Sequence, residues 1–280
     1  MTEENVKIAG HTMGTPELDI IDSIELMARL GFDGIEVRFT GDGQLDPSPG
    51  PLRMNRVRPE LIDATKRALK DSGIELVLLS GYHGDFSTAA AAEENARAIE
   101  RELEVAAELG CPLLRVMGGA YSSFWRGGRG QRESERVTAG ELRKLGERAG
   151  ALKRTIVLET HAGTMIETAG AARRFLDMID SPNVGVIYDQ DQIEKNGGEE
   201  PEEAVELLRP YIRHVHLCPF KLERRGLADL GPRVLRSLAD AGYDGYISDE
   251  YPRHGSDPVP PAETQMSADL QILRRWISEL

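Results

Sequence analysis

The sequence holds six histidines, and their positions are the first sign of chemistry. His11, His83, His161 and His254 each follow an apolar, strand-like segment, and His214 and His216 lie within one. None falls on a segment with helical periodicity. Imidazole is the common ligand and proton carrier near neutral pH, so this placement gathers such chemistry at one kind of position. The acids follow the same rule. In Thr155-Ile156-Val157-Leu158-Glu159-Thr160-His161, a period of two puts Val157, Glu159 and His161 on one face. Asp189 closes the apolar run that starts at Val184, and Asp249 and Glu250 close the run that starts at Gly245. His214 and His216 share a face, with His216 nearer the C-terminal rim. Four successive strand ends therefore offer Glu159, Asp189, His216 and Glu250. Three carboxylates and one imidazole make a hard donor set, suited to Mn²⁺, Mg²⁺ or Co²⁺ rather than a structural zinc. A single acid at a strand end is ordinarily a helix N-cap or a surface residue; four in succession favour a metal site.

Strands and helices must alternate to place those ends together. Apolar segments at Val6–Ile8, Gly34–Val37, Ile74–Leu79, Leu113–Val116, Thr155–Glu159, Val184–Tyr188, Ile212–Leu217 and Tyr246–Glu250 read as strands, the densest of them covered on both faces. Between them run amphipathic stretches, among them Glu17–Leu30, a helix opening at Pro59, and the Ala- and Glu-rich Ala89–Leu109. Glycines at Gly31, Gly73 and Gly110 stop three of these helices. Eight strand–helix units in 280 residues predict an α/β fold, a single (β/α)8 TIM barrel spanning residues 1–280 as one domain. A doubly wound sheet would need a glycine-rich dinucleotide turn after its first strand, and Gly10-His11-Thr12-Met13-Gly14 lacks its third glycine. In such a barrel the chemistry sits at the C-terminal ends of the strands, where the histidines and acids stand.

The formal net charge of −13 argues against a partner that is a polyanion, so neither nucleic acid nor an anionic membrane surface is expected. No apolar run approaches membrane-spanning length, and the first residues lack the form of a secretory signal. Cys111 and Cys218 belong to no ligand-spaced pair. The expectation is a cytoplasmic protein with reduced thiols.

At GFDGIEVR (31–38), LGCPLLRVMGG (109–119), IVLETH (156–161), VGVIYD (184–189), RHVHL (213–217) and GYDGYISDE (242–250), the chain resembles the xylose-isomerase-like TIM barrel superfamily of sugar and sugar-phosphate isomerases and epimerases. The resemblance implies a divalent metal held by Glu159, Asp189, His216 and Glu250. Mn²⁺ is the first expectation, with Mg²⁺, Co²⁺ and Zn²⁺ as alternatives. It also implies that Glu159 and Glu250 face each other across the substrate and exchange protons through a metal-stabilised enediolate, and that the protein forms a homodimer or homotetramer. One departure stands out. Many epimerase-like members carry Asp-x-x-His after the sixth strand, and here Gln192 stands where the His would be. It can bond a hydroxyl but cannot shuttle a proton. Lys221 sits near the place where relatives have a cationic substrate contact.

Around this set, His83, Arg115, His161, Gln192 and Lys221 are the expected substrate contacts. His83, Arg115, Arg126 and Lys221 each have the alternative of being ordinary solvated loop residues. His214 is expected to be a hydrogen-bonded core histidine, and His11 and His254 rim residues. Glu36, if it points into the barrel, needs a partner. Arg38 and Trp125 are placed to help cover a pocket. The expected function is a metal-dependent isomerase or epimerase of a small polyhydroxylated carbonyl compound: a sugar, sugar acid or cyclitol. The alternatives are a dehydratase of dehydroshikimate or inosose type, a DNA-repair endonuclease, which the charge disfavours, and a non-catalytic sugar-binding subunit.

Overall fold

The computed structural model describes residues 6–40, 52–53, 56–119, 130–252 and 259–280. They fall in two compact units, one of residues 1–80 with 214–280 and the other of residues 81–213. Trp125, Arg126 and His254 lie outside the described residues.

The discontinuous unit holds β1 (Lys7–His11), β2 (Gly34–Thr40), β3 (Leu52–Arg53), β4 (Glu75–Ser80), the end of β8 (Ile212–His216) and β9 (Tyr246–Asp249). All its pairings are parallel: β1 with β2 and β9, β2 with β4 and the two-residue β3, and β8 with β9. Its first two helices are α1 (Ile20–Leu30) and α2 (Pro59–Ser72). Every residue of β2 is buried, as parallel strands covered on both faces require. Asp19 caps α1 by accepting from the Ile21 and Asp22 amides, and Gly31 closes it at φ 91°, a conformation that glycine adopts without a Cβ penalty.

The contiguous unit contains α3 (Ala89–Leu109), β5 (Leu113–Arg115), α4 (Gln131–Ala151), β6 (Thr155–Glu159), α5 (Ala169–Ile179), β7 (Val184–Asp189), α6 (Gln190–Lys195) and α7 (Pro201–Leu208). Strands β5, β6 and β7 pair in that order, again parallel. The bounds of α2 and α3 match the sequence reading, because proline or threonine opens each and glycine closes it. The short α6 shows no helical period of its own, and neither does α8 (Pro219–Arg224) in the first unit. There α9 (Leu230–Asp240) and α10 (Ala262–Ser278) complete the chain. Among the described residues no helix is long and apolar enough to cross a membrane.

Candidate active site

In the contiguous unit, β6 delivers Glu159 at its C-terminal end, buried. Beside it, Arg115 ends β5 in register with Val157. Its guanidinium donates from Nη1 to Glu159 Oε2 at 2.7 Å and from Nε to the Gly81 carbonyl at 3.2 Å, and it lies 4.4 Å above the Tyr82 ring. Arg115 is thus a buried partner of Glu159, and the solvated-loop alternative falls. Asp189 ends β7 and caps α6, its Oδ1 accepting the Gln192 amide at 3.2 Å. It also offers an oxygen within 4.8 Å of one from Glu159. The cap uses one oxygen of a carboxylate that has two, so it does not by itself exclude the ligand reading. Thr160 fixes the strand end beneath it, its hydroxyl accepting the Asp189 amide at 2.9 Å.

His161 lies past β6 and donates from Nδ1 to the Ala162 carbonyl at 2.9 Å, so its ring is oriented by its own loop. Gln192 is buried on α6, and its Oε1 accepts the Ala162 amide at 3.5 Å. The residue in place of the family histidine therefore braces the loop that carries His161. His83 is no solvated loop residue: its Nδ1 meets Glu102 Oε1 at 2.8 Å. Burial pushes the Glu102 carboxyl up, against the pull of His83. Sequence reasoning passed over Glu102, although the signal was present. It shares the buried stripe of α3 with Ile99, Leu103 and Ala106, and a carboxylate on an apolar face needs a partner.

In the discontinuous unit the centre is Glu36, at 0% exposure. Its carboxylate accepts from Ser80 Oγ and is met by three imidazoles: His11 Nε2 at 3.1 Å, His214 Nε2 at 3.2 Å and His216 Nε2 at 3.1 Å. The partner that the sequence demanded for Glu36 is thus a trio of histidines. Burial alone would push the Glu36 carboxyl up, but His11 and His216 outweigh it and hold Glu36 well below the usual carboxylate range. His11 is not at the rim. It is fully buried, and its Nδ1 accepts the Met13 amide at 2.8 Å, which leaves the ring proton on Nε2, facing Glu36. His214 is the core histidine expected, 2.7 Å from Ser248 Oγ; burial lowers its pKa against the opposing pull of Glu36. Arg38 is buried on β2, its amide bonded to Thr12 Oγ1 at 2.8 Å.

The same trio sets the ring of His216. With Nε2 turned to Glu36, its Nδ1 lies 3.9 Å from Glu250 Oε1. That gap is too long for a hydrogen bond, yet an ion bonded at about 2.1 Å to each atom can span it. Glu250 follows β9 directly and is buried, with Lys221 of α8 on its Oε2. Burial pushes the Glu250 carboxyl up, but Lys221, His216 and His11 together bring it below the ordinary carboxylate range. Lys221 is therefore a partner of a buried acid, not a free loop cation.

A model of the family described as xylose isomerase-like TIM barrel matches residues 24–276. Among curated proteins, an inosose dehydratase of Geobacillus kaustophilus is 28% identical over 209 residues, covering 69% of this chain and 67% of that protein. A 3-dehydroshikimate dehydratase of Bacillus anthracis is 25% identical over 201 residues, covering 71% of this chain and 66% of that one. The aligned stretch thus spans about two thirds of each relative. Among solved structures, a D-psicose 3-epimerase from Clostridium cellulolyticum H10 superposes with a TM-score of 0.79 at 18% identity, covering 97% of this chain and 99% of the other. That likeness shows the fold, a (β/α)8 barrel, as expected from the strand–helix alternation.

Proposed function

The chain belongs to the xylose isomerase-like TIM barrel family, and from that premise we propose that it is a divalent-metal-dependent isomerase or epimerase of a small polyhydroxylated carbonyl compound. Glu159, Asp189, His216 and Glu250 would hold the ion, Mn²⁺ first, with Mg²⁺, Co²⁺ or Zn²⁺ as alternatives. What supports reading these four as one set is that a barrel of this kind opens the C-terminal ends of its strands on one mouth. The observation that carries the proposal is the ring of His216: Nε2 is committed to Glu36, and Nδ1 lies 3.9 Å from Glu250 Oε1. An imidazole oriented by a carboxylate through one nitrogen, with the other turned toward an acid, is the arrangement of a metal ligand.

The bound ion would supply positive charge for the electron density that builds on the carbonyl oxygen when a neighbouring C–H bond breaks. The rest falls to the chain. Glu159, held at Oε2 by Arg115, would take the proton from carbon on one face, and Glu250, held at Oε2 by Lys221, would return one on the other once it had itself taken up a proton from solvent. Arg115 cannot give up a proton at working pH, so it fixes Glu159 without competing in the transfer. His83, braced by Glu102, His161, and Gln192, which reaches from α6 to the loop of His161, would contact substrate hydroxyls. The proposal includes a single barrel domain, a cytoplasmic location and a homodimer or homotetramer, which sedimentation analysis checks.

The names of the two curated relatives favour a second reading, loss of a β-hydroxyl after the same proton abstraction. Incubation with Mn²⁺ and a panel of ketoses, inososes and dehydroshikimate in D₂O separates the readings. Deuterium at the carbon next to the carbonyl of a recovered isomer supports the first, and an ultraviolet-absorbing enone or aromatic product the second. Absence of bound metal, deuterium and new product across the panel overturns both.

A further inference from the structure

A second cluster of donor atoms lies in the discontinuous unit, outside the set just described. Cys218, directly before α8, Asp249, the last residue of β9, and Asp269 of α10 each offer one atom, and these three atoms lie within 4.8 Å of one another. All three residues are buried, and Asp249 and Asp269 are at 0% exposure. Asp269 is fixed by Gln265, whose Nε2 donates to Oδ1 at 3.0 Å, and its Oδ2 stands 3.8 Å from Cys218 Sγ. The feature that needs an account is Asp249: neither of its oxygens makes a hydrogen bond of ordinary geometry among the described residues, with only the Cys218 thiol beside it.

A buried carboxylate so poorly supplied with donors is costly, and native structures rarely leave one so. The spacings fit an ion. A tetrahedral centre bonded at about 2.3 Å to sulfur and 2.0 Å to oxygen sets its sulfur and oxygen ligands about 3.5 Å apart. The Cys218–Asp269 separation of 3.8 Å is close to that edge and too wide for a strong hydrogen bond. One thiolate with two carboxylates is a borderline donor set, of the kind that binds zinc or cobalt rather than calcium or magnesium.

We propose that Cys218, Asp249 and Asp269 bind a divalent ion of the zinc type, buried between the ends of β8 and β9 and helix α10. The site is separate in ligands from the proposed catalytic set, and this proposal does not depend on that one. Its position gives it a purpose. Cys218 stands two residues beyond His216, and Asp249 directly before Glu250, so an ion here ties the two strand ends that carry those side chains to an outer helix.

The test uses Co²⁺ on the full chain after chelation and dialysis. None of Glu159, Asp189, His216 and Glu250 carries sulfur, so a thiolate-to-cobalt charge-transfer band in the near ultraviolet reports this site alone. The band is expected to saturate at one equivalent, to vanish in Cys218→Ser, to weaken at least tenfold in apparent affinity in Asp269→Asn, and to persist in Cys111→Ser. Metal analysis of the zinc-loaded chain is expected to fall by one equivalent in Cys218→Ser. Circular dichroism identifies a variant that fails to fold, in which case Asp269→Asn and the wild-type titration decide. Absence of the band in folded wild-type protein overturns the proposal, as does a band that survives Cys218→Ser.

Discussion

Replacing Glu36 by glutamine keeps the shape of the side chain and removes its charge, which makes it a clean probe of the histidine trio. The amide has one acceptor oxygen where the carboxylate has two, and it turns an NH₂ toward imidazole N–H groups. His11 cannot relieve the clash by moving its proton, because its Nδ1 already accepts the Met13 amide. Breaking a buried charged pair in this way costs about 3–5 kcal/mol. At roughly 2.1 cal/mol/K of unfolding entropy per residue, a chain of 280 residues loses about 5–8 °C in Tm. A second effect would fall on the proposed metal. Loss of the partner that orients a ligating imidazole weakens metal affinity by about ten- to hundredfold. Thermal unfolding of the metal-free variant and Mn²⁺ titration by calorimetry measure the two effects separately. A Tm shift under about 2 °C with unchanged Mn²⁺ affinity would refute the view that Glu36 holds His216 in place.

Other expectations follow from the same geometry. His214 has its pKa depressed by burial, so the unfolded chain takes up a proton below its ordinary 6.5 that the folded chain refuses. Stability from this group is therefore lost as the pH falls through 6.5, and the Tm advantage of wild type over His214→Gln should narrow between pH 7 and 5. Lys221→Met removes the strongest lowering influence on Glu250. The Glu250 contribution, present above the ordinary carboxylate value and lost as the pH falls through its lowered one, should then fail at a higher pH; acid unfolding followed by circular dichroism reads the shift. Gly185→Ala puts a methyl 2.7 Å from the Tyr211 carbonyl and 2.5 Å from Arg213 Cγ, and the backbone contact cannot yield. A loss of about 1–3 kcal/mol in urea unfolding is expected.

The strand ends were legible because a parallel strand announces itself as an apolar run, and a polar residue at its end breaks the pattern. Glu159, Asp189, His216 and Glu250 all stood out in this way, and all four are buried at strand ends. The partners were not legible. The contact of Glu36 with His214 joins residues 178 apart, and no local pattern reports such a distance. His11 was misplaced because β1 reads as ending at Ile8 but continues to His11, which carries the ring inward. His83 was undervalued because its partner Glu102 lies 19 residues on, one acid among several on a Glu-rich amphipathic helix. The short α6 and α8 escaped notice because a helix of six residues has too few turns to show a period.

The two compact units differ in how the chain supplies them, and this bears on the order in which charges are met during synthesis. Residues 81–213 are contiguous, and Arg115 is made before Glu159, so that carboxylate has its cation available as soon as it emerges. Glu250 likewise follows its Lys221 by 29 residues. Glu36 has no such help. Of its three imidazoles, only His11 precedes it, and His216 comes 180 residues later. A nascent chain therefore carries Glu36 with only the His11 ring and the Ser80 hydroxyl until more than three quarters of the sequence has been translated. Glu36 thus waits for two of its three imidazoles until β8 has been made.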